Sequence, residues 1–265
     1  MNVSGWSTTK KRFVFGIGML GLVTLSFCLG KWAVDLLLLA VGLLIVDEVL
    51  CNFLKEPRYS RNYWYAQLTF AIPFIYFGLY SEFIFIKKFF ILWAVAVNLL
   101  LLVYLFVIPL EKLPQPEKIR KYCPFVGLFF LPLFTAMAQI LKYPHWIKVV
   151  VGLILINVTV DTGAWIVGTR WGKHKLWPAI SPNKTIEGLI GGVLLGGIIL
   201  TIYYWGSFGK IGPKLGISWI ILALLAQVGD LVQSKMKRQF VLKDSSSLIP
   251  GHGGVYDRLD SIIYT

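Results

Sequence analysis

Acidic residues and cysteines are scarce in this chain of 265 residues. Its 13 Asp and Glu residues face 26 Lys and Arg residues, which leaves a formal net charge of +13. Charged residues make up only 15% of the chain, against roughly 25% in ordinary soluble domains. The three cysteines, at positions 28, 51 and 123, have no metal-ligand spacing and are too few for a disulfide framework. The cysteines therefore give neither a zinc site nor a disulfide framework.

Apolar residues make up 57% of the chain, and the mean hydropathy is +0.70. A membrane-spanning helix needs about 20 predominantly apolar residues. The candidate segments are residues 13–30, 33–54, 63–80, 89–110, 124–141, 147–168, 187–205 and 217–233. We interpret the first as a retained helix and not a cleaved signal. The sequence therefore predicts an all-α, polytopic transmembrane protein of about eight spans, with N-terminal helices in residues 1–145 and the functional motifs in residues 146–265.

The basic residues indicate how these spans are oriented. Cytoplasmic loops of membrane proteins carry an excess of Lys and Arg. With the N-terminus inside, nineteen of the 26 basic residues fall in inside segments and seven in outside segments. The two longest inside segments, residues 169–186 and 234–265, are rich in Gly, Pro, Ser and basic residues, which predicts loops. We expect a multi-pass protein of the cytoplasmic (inner) membrane with these loops facing the cytoplasm.

Two acidic residues lie inside predicted spans, where a charge costs about 2.5–3.5 kcal/mol at the centre of the membrane. From the helix rise, Asp161 and Asp230 lie at the same depth, roughly 10 Å from the cytoplasmic boundary. The polar residues that share their helix faces are Asn157, Gln227 and Ser234. The pattern predicts a polar cavity open to the cytoplasmic side; the alternative is a buried hydrogen-bond cluster between helices. Asp47 and Glu48, at a similar depth, belong either to this cavity or to an interfacial helix end.

The last predicted loop combines cations, glycines and acids. The cations suited to phosphate oxygens are Lys237, Arg238, Lys243 and Arg258. Gly251, Gly253 and Gly254 let the backbone approach a ligand and present N–H groups. Asp257 and Asp260 are three residues apart, so a helix would place both on one face. Carboxylates beside such a loop suggest Mg²⁺ with a nucleoside triphosphate, whereas a basic loop resting on anionic headgroups explains neither the acids nor the glycines.

The loop resembles the signature of phosphatidate cytidylyltransferases, also called CDP-diacylglycerol synthases. That signature runs Ser-x-apolar-Lys-Arg, four residues, Lys-Asp, then Pro-Gly-His-Gly-Gly, and ends in Asp-Arg-apolar-Asp; residues 234–260 match every specified position. Two further elements are similar to family motifs, Asp-Thr-Gly-Ala at 161–164 and Ser-Pro-Asn-Lys-Thr-Ile-Glu-Gly at 181–188. Family members usually continue into a final membrane helix, so we expect either that the chain is truncated after Thr265 or that this last helix is missing.

The resemblance implies an activity, a cofactor and partners. CMP would be transferred from CTP to phosphatidate, giving CDP-diacylglycerol and pyrophosphate in phospholipid biosynthesis, with Mg²⁺ as the cofactor. The expected partners are the two substrates and the lipid bilayer, without nucleic acid. A homodimer is one expected assembly.

Particular residues take roles under this resemblance. The expected catalytic residues are Asp230, Asp257, Lys237 and Arg238. The expected metal ligands are Asp230, Asp257 and Asp260, with one ion shared by the first two. The expected substrate-binding residues are Asp161, Ser181, Lys184, Ser234, Lys243, His252 and Arg258. His252 is expected to donate a hydrogen bond to phosphate rather than to act as a general base.

Two other classes of function compete with this interpretation. A transporter or channel should carry its polar stripe through to the outer face, whereas the acids here cluster toward the inside. A CTP-dependent kinase of polyprenols or other lipid alcohols would share the need for a nucleotide but would release CDP. The identity of the nucleotide product therefore separates the two enzymes.

Overall fold

The computed structural model describes residues 7–80, 84–209 and 213–264, which are mostly helical. The α-helices are α1 (Thr8–Leu29), α2 (Lys31–Glu48), α3 (Arg61–Pro73), α4 (Ile84–Phe106), α5 (Pro116–Ile119), α6 (Val126–Ile140), α7 (Trp146–Trp171), α8 (Ile186–Phe208), α9 (Pro213–Gln239) and α10 (Tyr256–Tyr264). Two short strands, β1 (Lys175–Trp177) and β2 (Ser181–Thr185), pair antiparallel. Val49–Phe53 and Phe74–Tyr80 are π-helical, and Leu110–Lys112 and Arg120–Phe125 form 3₁₀ turns.

Six helical segments in the described part of the chain are long and apolar enough to cross a membrane. They are Thr9–Leu29, Lys88–Phe106, Glu117–Ile140, Trp146–Trp171, Ile186–Phe208 and Gly216–Gln239. The prediction of a helical, multi-pass membrane protein is therefore confirmed. The other two predicted spans, 33–54 and 63–80, coincide with α2 and α3 and the π-helical turns that follow them. Pro73 closes α3 because it has no N–H to donate, which favours the change to π-helical pairing.

The two predicted inside loops are more regular than expected, which corrects the sequence analysis. Helix α9 continues to Gln239, so Ser234, Lys237 and Arg238 are helical and not part of a loop. Its last turns contain good helix formers, and the basic residues there complement the negative end of the helix dipole. Residues 169–186 begin inside α7 and continue into the hairpin β1–β2, so the chain is not purely α.

The chain divides into two compact units, each built from several stretches of sequence. The α1–α6 unit comprises Met1–Val97, Lys112–Lys142 and Gln239–Arg258. The α7–α9 unit comprises Asn98–Glu111, Tyr143–Arg238 and Leu259–Thr265. The first has a core rich in aromatic residues, among them Phe70, Phe74, Phe130 and Phe134. The second is centred on Ile156, Val160, Leu200, Trp219, Ala223 and Ala226. The predicted boundary after residue 145 stays a prediction.

Glycines allow α7 and α8 to approach closely. Gly188, Gly192 and Gly196 recur every fourth residue on α8 and are all buried. A Cβ atom added at Gly192 would lie 2.6 Å from the Val160 carbonyl oxygen of α7. Small residues at this spacing are typical of closely packed membrane helices, where van der Waals contact replaces the hydrophobic effect. This crossing fixes the entry to the hairpin that follows α7.

We expect Gly192→Ala to destabilise the α7–α8 crossing, because its methyl group must push against backbone. The free energy of unfolding should fall by about 1–3 kcal/mol, which is typical of overpacking. This loss should appear as a lower Tm in detergent. Gly197→Ala is the matched control, since a Cβ at Gly197 meets nothing within 4 Å. Equal Tm values for the two variants would contradict the close approach.

Candidate active site

Three predicted site residues meet within the α7–α9 unit. The Lys184 ammonium group on β2 lies 2.6 Å from Asp230 Oδ2 on α9 and donates to Gln227 Oε1 at 3.1 Å. Gln227 Nε2 donates in turn to Asp161 Oδ1 on α7 at 3.3 Å. A continuous chain of polar contacts thus joins α7, β2 and α9. Asn157 is buried and donates to the Leu153 carbonyl oxygen of its own helix.

Asp260 brings a third carboxylate to this unit. Helix α10 packs closely on α9, since a Cβ added at Gly229 would lie 2.6 Å from the Asp260 carbonyl oxygen. Burial raises the pKa of Asp260 to about 7, and the negative charges of Asp230 and Asp161 add to that rise. Lys237 partly offsets it. We call Asp161, Asp230 and Asp260 the carboxylate cluster.

A cavity of about 500 Å³ opens beside the first two of these carboxylates. Its charged and polar lining includes Asp161, Lys184, Gln227 and Asp230. Its apolar lining includes Trp165 and Leu189. The volume lies within the range of about 300–1,000 Å³ that is usual for small-molecule sites. A cation, two carboxylates and an amide therefore face a space large enough for phosphate groups.

Other predicted residues of the α7–α9 unit surround this arrangement. Ser181 begins β2, three residues before Lys184. The Ser234 hydroxyl lies 3.5 Å from Asp230 Oδ1, at the outer limit for a hydrogen bond. Arg238 Nε donates to the Ile180 carbonyl oxygen at 3.4 Å, which ties the last turn of α9 to the hairpin.

The remaining predicted residues lie in the α1–α6 unit, on or beside residues 244–255, which we call the glycine loop. Ile249 N donates to Gly253 O at 2.8 Å, and His252 N donates back to Ile249 O at 2.9 Å. Gly251 and Gly253 have φ angles of +81° and +85°, a region that side chains disfavour. The glycines thus shape a tight turn, a role that the sequence analysis did not consider.

Asp257 and Arg258 both bind the glycine loop. Asp257 Oδ2 accepts hydrogen bonds from Ser245 N at 2.7 Å, Ser245 Oγ at 3.0 Å and Gly254 N at 3.0 Å. Arg258 Nε and Nη2 both donate to the His252 carbonyl oxygen, at 3.0 and 2.6 Å. Lys243 is exposed just before the loop. The sharing of one Mg²⁺ by Asp230 and Asp257 stays a prediction.

Glu48 has a role that the sequence analysis missed. It is the last residue of α2 and only 1% exposed. Its carboxylate accepts from Ser246 Oγ at 2.7 Å, and it lies 2.9 Å from Ser245 Oγ, whose one proton it shares with Asp257 Oδ2. It also accepts from Val255 N at 2.7 Å and Tyr256 N at 3.0 Å, two backbone donors at the point where α10 begins. An acid within an apolar run was the available signal, but its partners lie about 200 residues away.

Asp47, the neighbour of Glu48, is paired within the same unit. Arg58 donates to both of its oxygens, at 3.2 and 2.8 Å, and the Tyr63 hydroxyl donates to Oδ1 at 3.0 Å. Asn52, on the π-helical turn after α2, donates to the Ser245 carbonyl oxygen at 2.8 Å. The residues at and just after the end of α2 therefore hydrogen-bond both to neighbouring side chains and to the glycine loop.

Comparison with known proteins agrees with these motifs. The family model described as the cytidylyltransferase family matches residues 10–265. Phosphatidate cytidylyltransferases of Staphylococcus aureus (strain COL) and Staphylococcus saprophyticus are each 43% identical, over 142 and 141 residues; both alignments cover 53% of this chain and 52% of the relative. The chain thus spans about half the length of the curated relatives it matches. Because the family model covers nearly every residue, the chain belongs to the cytidylyltransferase family.

Proposed function

We propose that this protein transfers CMP from CTP to phosphatidate, forming CDP-diacylglycerol and pyrophosphate. The observation that carries the proposal is the cavity lined by Lys184, Asp161 and Asp230. It brings a cation and two carboxylates together, as a metal-assisted reaction between two polyanions requires. The names of the relatives support the choice of phosphatidate as the acceptor.

In this reaction the protein has to position the two substrates, which react directly with each other. A phosphate-monoester oxygen of phosphatidate attacks the α-phosphorus of CTP, a P–O bond forms, and the bond from that phosphorus to the pyrophosphate oxygen breaks. The nucleophile is already an anion near neutral pH, because the second pKa of a phosphate monoester is about 6. No covalent enzyme intermediate is required. Lys184, Lys237 and Arg238 are proposed to bind the phosphate oxygens and stabilise the charge on the leaving pyrophosphate.

The donor set of the carboxylate cluster fits Mg²⁺. Among the residues that the structure describes, no three His, Cys, Asp or Glu side chains are arranged to hold a metal by themselves. Mg²⁺ commonly takes only one or two protein carboxylates and completes its shell with water and substrate phosphates. We propose Asp230 and Asp260 as its protein ligands, with Asp161 beside them. They replace the pair Asp230 and Asp257 expected from the sequence, because Asp257 Oδ2 already accepts hydrogen bonds from the glycine loop. When bound, the ion would neutralise the phosphate charge.

The residues on or beside the glycine loop are proposed to act in two ways: one of them positions the loop, and the others contact phosphate. Asp257 has an oxygen engaged by three loop donors, so we propose a positioning role for it. His252, Lys243 and Arg258 are proposed to contact phosphate. In the α7–α9 unit, Ser181 and Ser234 are proposed as hydrogen-bond donors.

We further propose eight spans and an active site that faces the cytoplasm of the inner membrane. The distribution of basic residues supports this orientation. The π-helical turns after α2 and α3 lengthen both segments toward the thickness of a bilayer.

The purified protein should convert CTP and phosphatidate to CDP-diacylglycerol and pyrophosphate, and EDTA should stop the reaction. Chromatography of the lipid and nucleotide products is the measurement. Phosphatidylcholine, which lacks a phosphate monoester, is the control lipid and should give no product. CDP as the nucleotide product would instead favour the lipid-alcohol kinase, and solute flux without chemistry in proteoliposomes would favour a transporter. In sealed right-side-out vesicles, external CTP should be used only after the membrane is made permeable.

Asp230→Asn should lower turnover by roughly 10²–10³-fold, the usual loss when one preorganised electrostatic group is removed. It should also raise the Mg²⁺ concentration required. Combining it with Asp260→Asn should add little, because groups that act as a unit are not additive. The control is Asp35→Asn, which neutralises an aspartate of α2 in the other unit. Near-normal turnover of Asp230→Asn would mean that Asp230 only pairs helices, since Asn still forms hydrogen bonds.

Glu48→Gln should loosen the glycine loop, because an amide offers one acceptor oxygen and turns an NH₂ group toward N–H and O–H donors. Each donor left unpaired costs about 1–3 kcal/mol. We therefore expect faster amide hydrogen exchange in residues 244–256 and roughly 10²-fold lower turnover. The matched control is Glu117→Gln, an exposed acid of the same unit. Unchanged exchange in this segment would show that Glu48 does not hold the loop.

A further inference from the structure

The first helix contacts the glycine loop across almost the whole sequence. Arg12 Nε donates to the Gly251 carbonyl oxygen at 3.0 Å, although 239 positions separate the two residues. A Cβ atom added at Gly251 would lie 3.2 Å from Arg12 Cγ and 3.3 Å from Lys11 Cβ. Little else of α1 is buried, with 6% of its span inside the protein. The contact therefore concentrates at the basic start of α1.

Two arginines bind consecutive carbonyl groups of this loop. Arg12 binds the carbonyl of Gly251, and Arg258 binds that of His252. Both side chains are exposed. Among the described residues, no hydrogen-bond partner is present for the terminal nitrogens of Arg12. A guanidinium held at Nε keeps the planar pair of donors that suits phosphate oxygens.

His252 supplies an independent indication of a ligand. Its Nδ1 atom is buried and has no hydrogen-bond partner among the described residues. Its ring lies against α1 at Gly16, where an added Cβ would be 3.9 Å from both Cε1 and Nε2. Gly16 follows Arg12 by four residues, so both lie on one helix face. A buried polar atom usually has a partner, and the ring that carries this one lies beside the helix face of Arg12.

The surroundings favour a phosphate carried by a lipid over one carried by a nucleotide. Phe13, Ile17 and Leu20 of α1 are 70%, 54% and 67% exposed, which leaves apolar surface next to the basic start of the helix. Acyl chains can lie along such a surface while a phosphate lies at the end of the helix, where basic residues interact with headgroups. The nearby acid, Asp257, already accepts hydrogen bonds from the loop at Oδ2, so this oxygen is occupied by the protein itself.

We propose that Arg12 and His252, together with Arg258, form the binding site for the phosphate monoester of the lipid substrate. The proposal rests on the function proposed above and adds α1, which lies outside both sequence motifs. Arg12 contacts the substrate phosphate through its terminal nitrogens while its Nε holds the loop.

The test compares Arg12→Gln with Lys10→Gln, which removes one positive charge two residues earlier in the same helix. In Arg12→Gln we expect the KM for phosphatidate in mixed micelles to rise about tenfold or more, the loss of one charge-assisted contact. The KM for CTP and kcat should stay within about twofold of wild type. Arg12→Lys should be intermediate, because an ammonium group keeps the charge but not the fork. Lys10→Gln should match wild type.

Other outcomes overturn the proposal. A rise in the KM for CTP alone would assign the site to nucleotide phosphate. Equal effects of Arg12→Gln and Lys10→Gln would indicate that Arg12 contributes only a general attraction between positive charge and an anionic lipid surface. A fall in kcat with both KM values unchanged would show that Arg12 only holds the loop.

A binding measurement separates this inference from the proposed function. Native mass spectrometry of the detergent-solubilised protein should show more retained phosphatidate than phosphatidylcholine, and Arg12→Gln should abolish the difference. If wild type retains phosphatidate through Arg12 but makes no CDP-diacylglycerol, the proposed function fails and the site stands. If wild type makes the product and Arg12→Gln changes neither retention nor KM, the site fails and the function stands.

Discussion

A buried carboxylate at the end of α2 organises the segment that carries the family signature. Burying an ionised group is costly unless hydrogen bonds replace its water. Glu48 meets this requirement with two serine hydroxyls and the two backbone N–H groups where α10 begins. The anion also lies at the positive end of the α10 dipole, a favourable position. Glu48 therefore sets where α10 begins, and with it the helix face that Asp257 and Asp260 share.

Local patterns in the sequence were enough to predict a mostly helical, multi-pass chain and to select candidate site residues. Apolar runs of membrane length predicted the six helical segments that could cross a membrane. Acids within such runs pointed to Asp161 and Asp230, which the fold joins through Gln227 and Lys184. The boundaries of the loops were less predictable. Helix α9 extends past its apolar run because the basic residues at its end still favour a helix. Hydropathy predicts only the apolar part of such a helix.

The contacts that escaped prediction join residues about 200 positions apart. No periodic pattern in the sequence predicts them, since each contact pairs one residue of an N-terminal helix with one residue of a distant loop. The two examples are Glu48 with Ser246 and Arg12 with Gly251. Lys235 is a further case. It counts as a loop cation by sequence, yet it is 1% exposed and donates to the carbonyl oxygens of Tyr104, Leu105 and Ile108. There it caps the negative end of α4 and is unavailable to phosphate.

The bond between Arg12 and Gly251 also constrains how the chain is threaded through the bilayer. Both residues must lie on the same side of the membrane, so the chain crosses it an even number of times between them. The six apolar segments satisfy this parity by themselves. If all six segments cross the bilayer, α2 and α3 must either both cross or both remain on one side. A chain in which only one of them crosses would carry the glycine loop to the face opposite the start of α1.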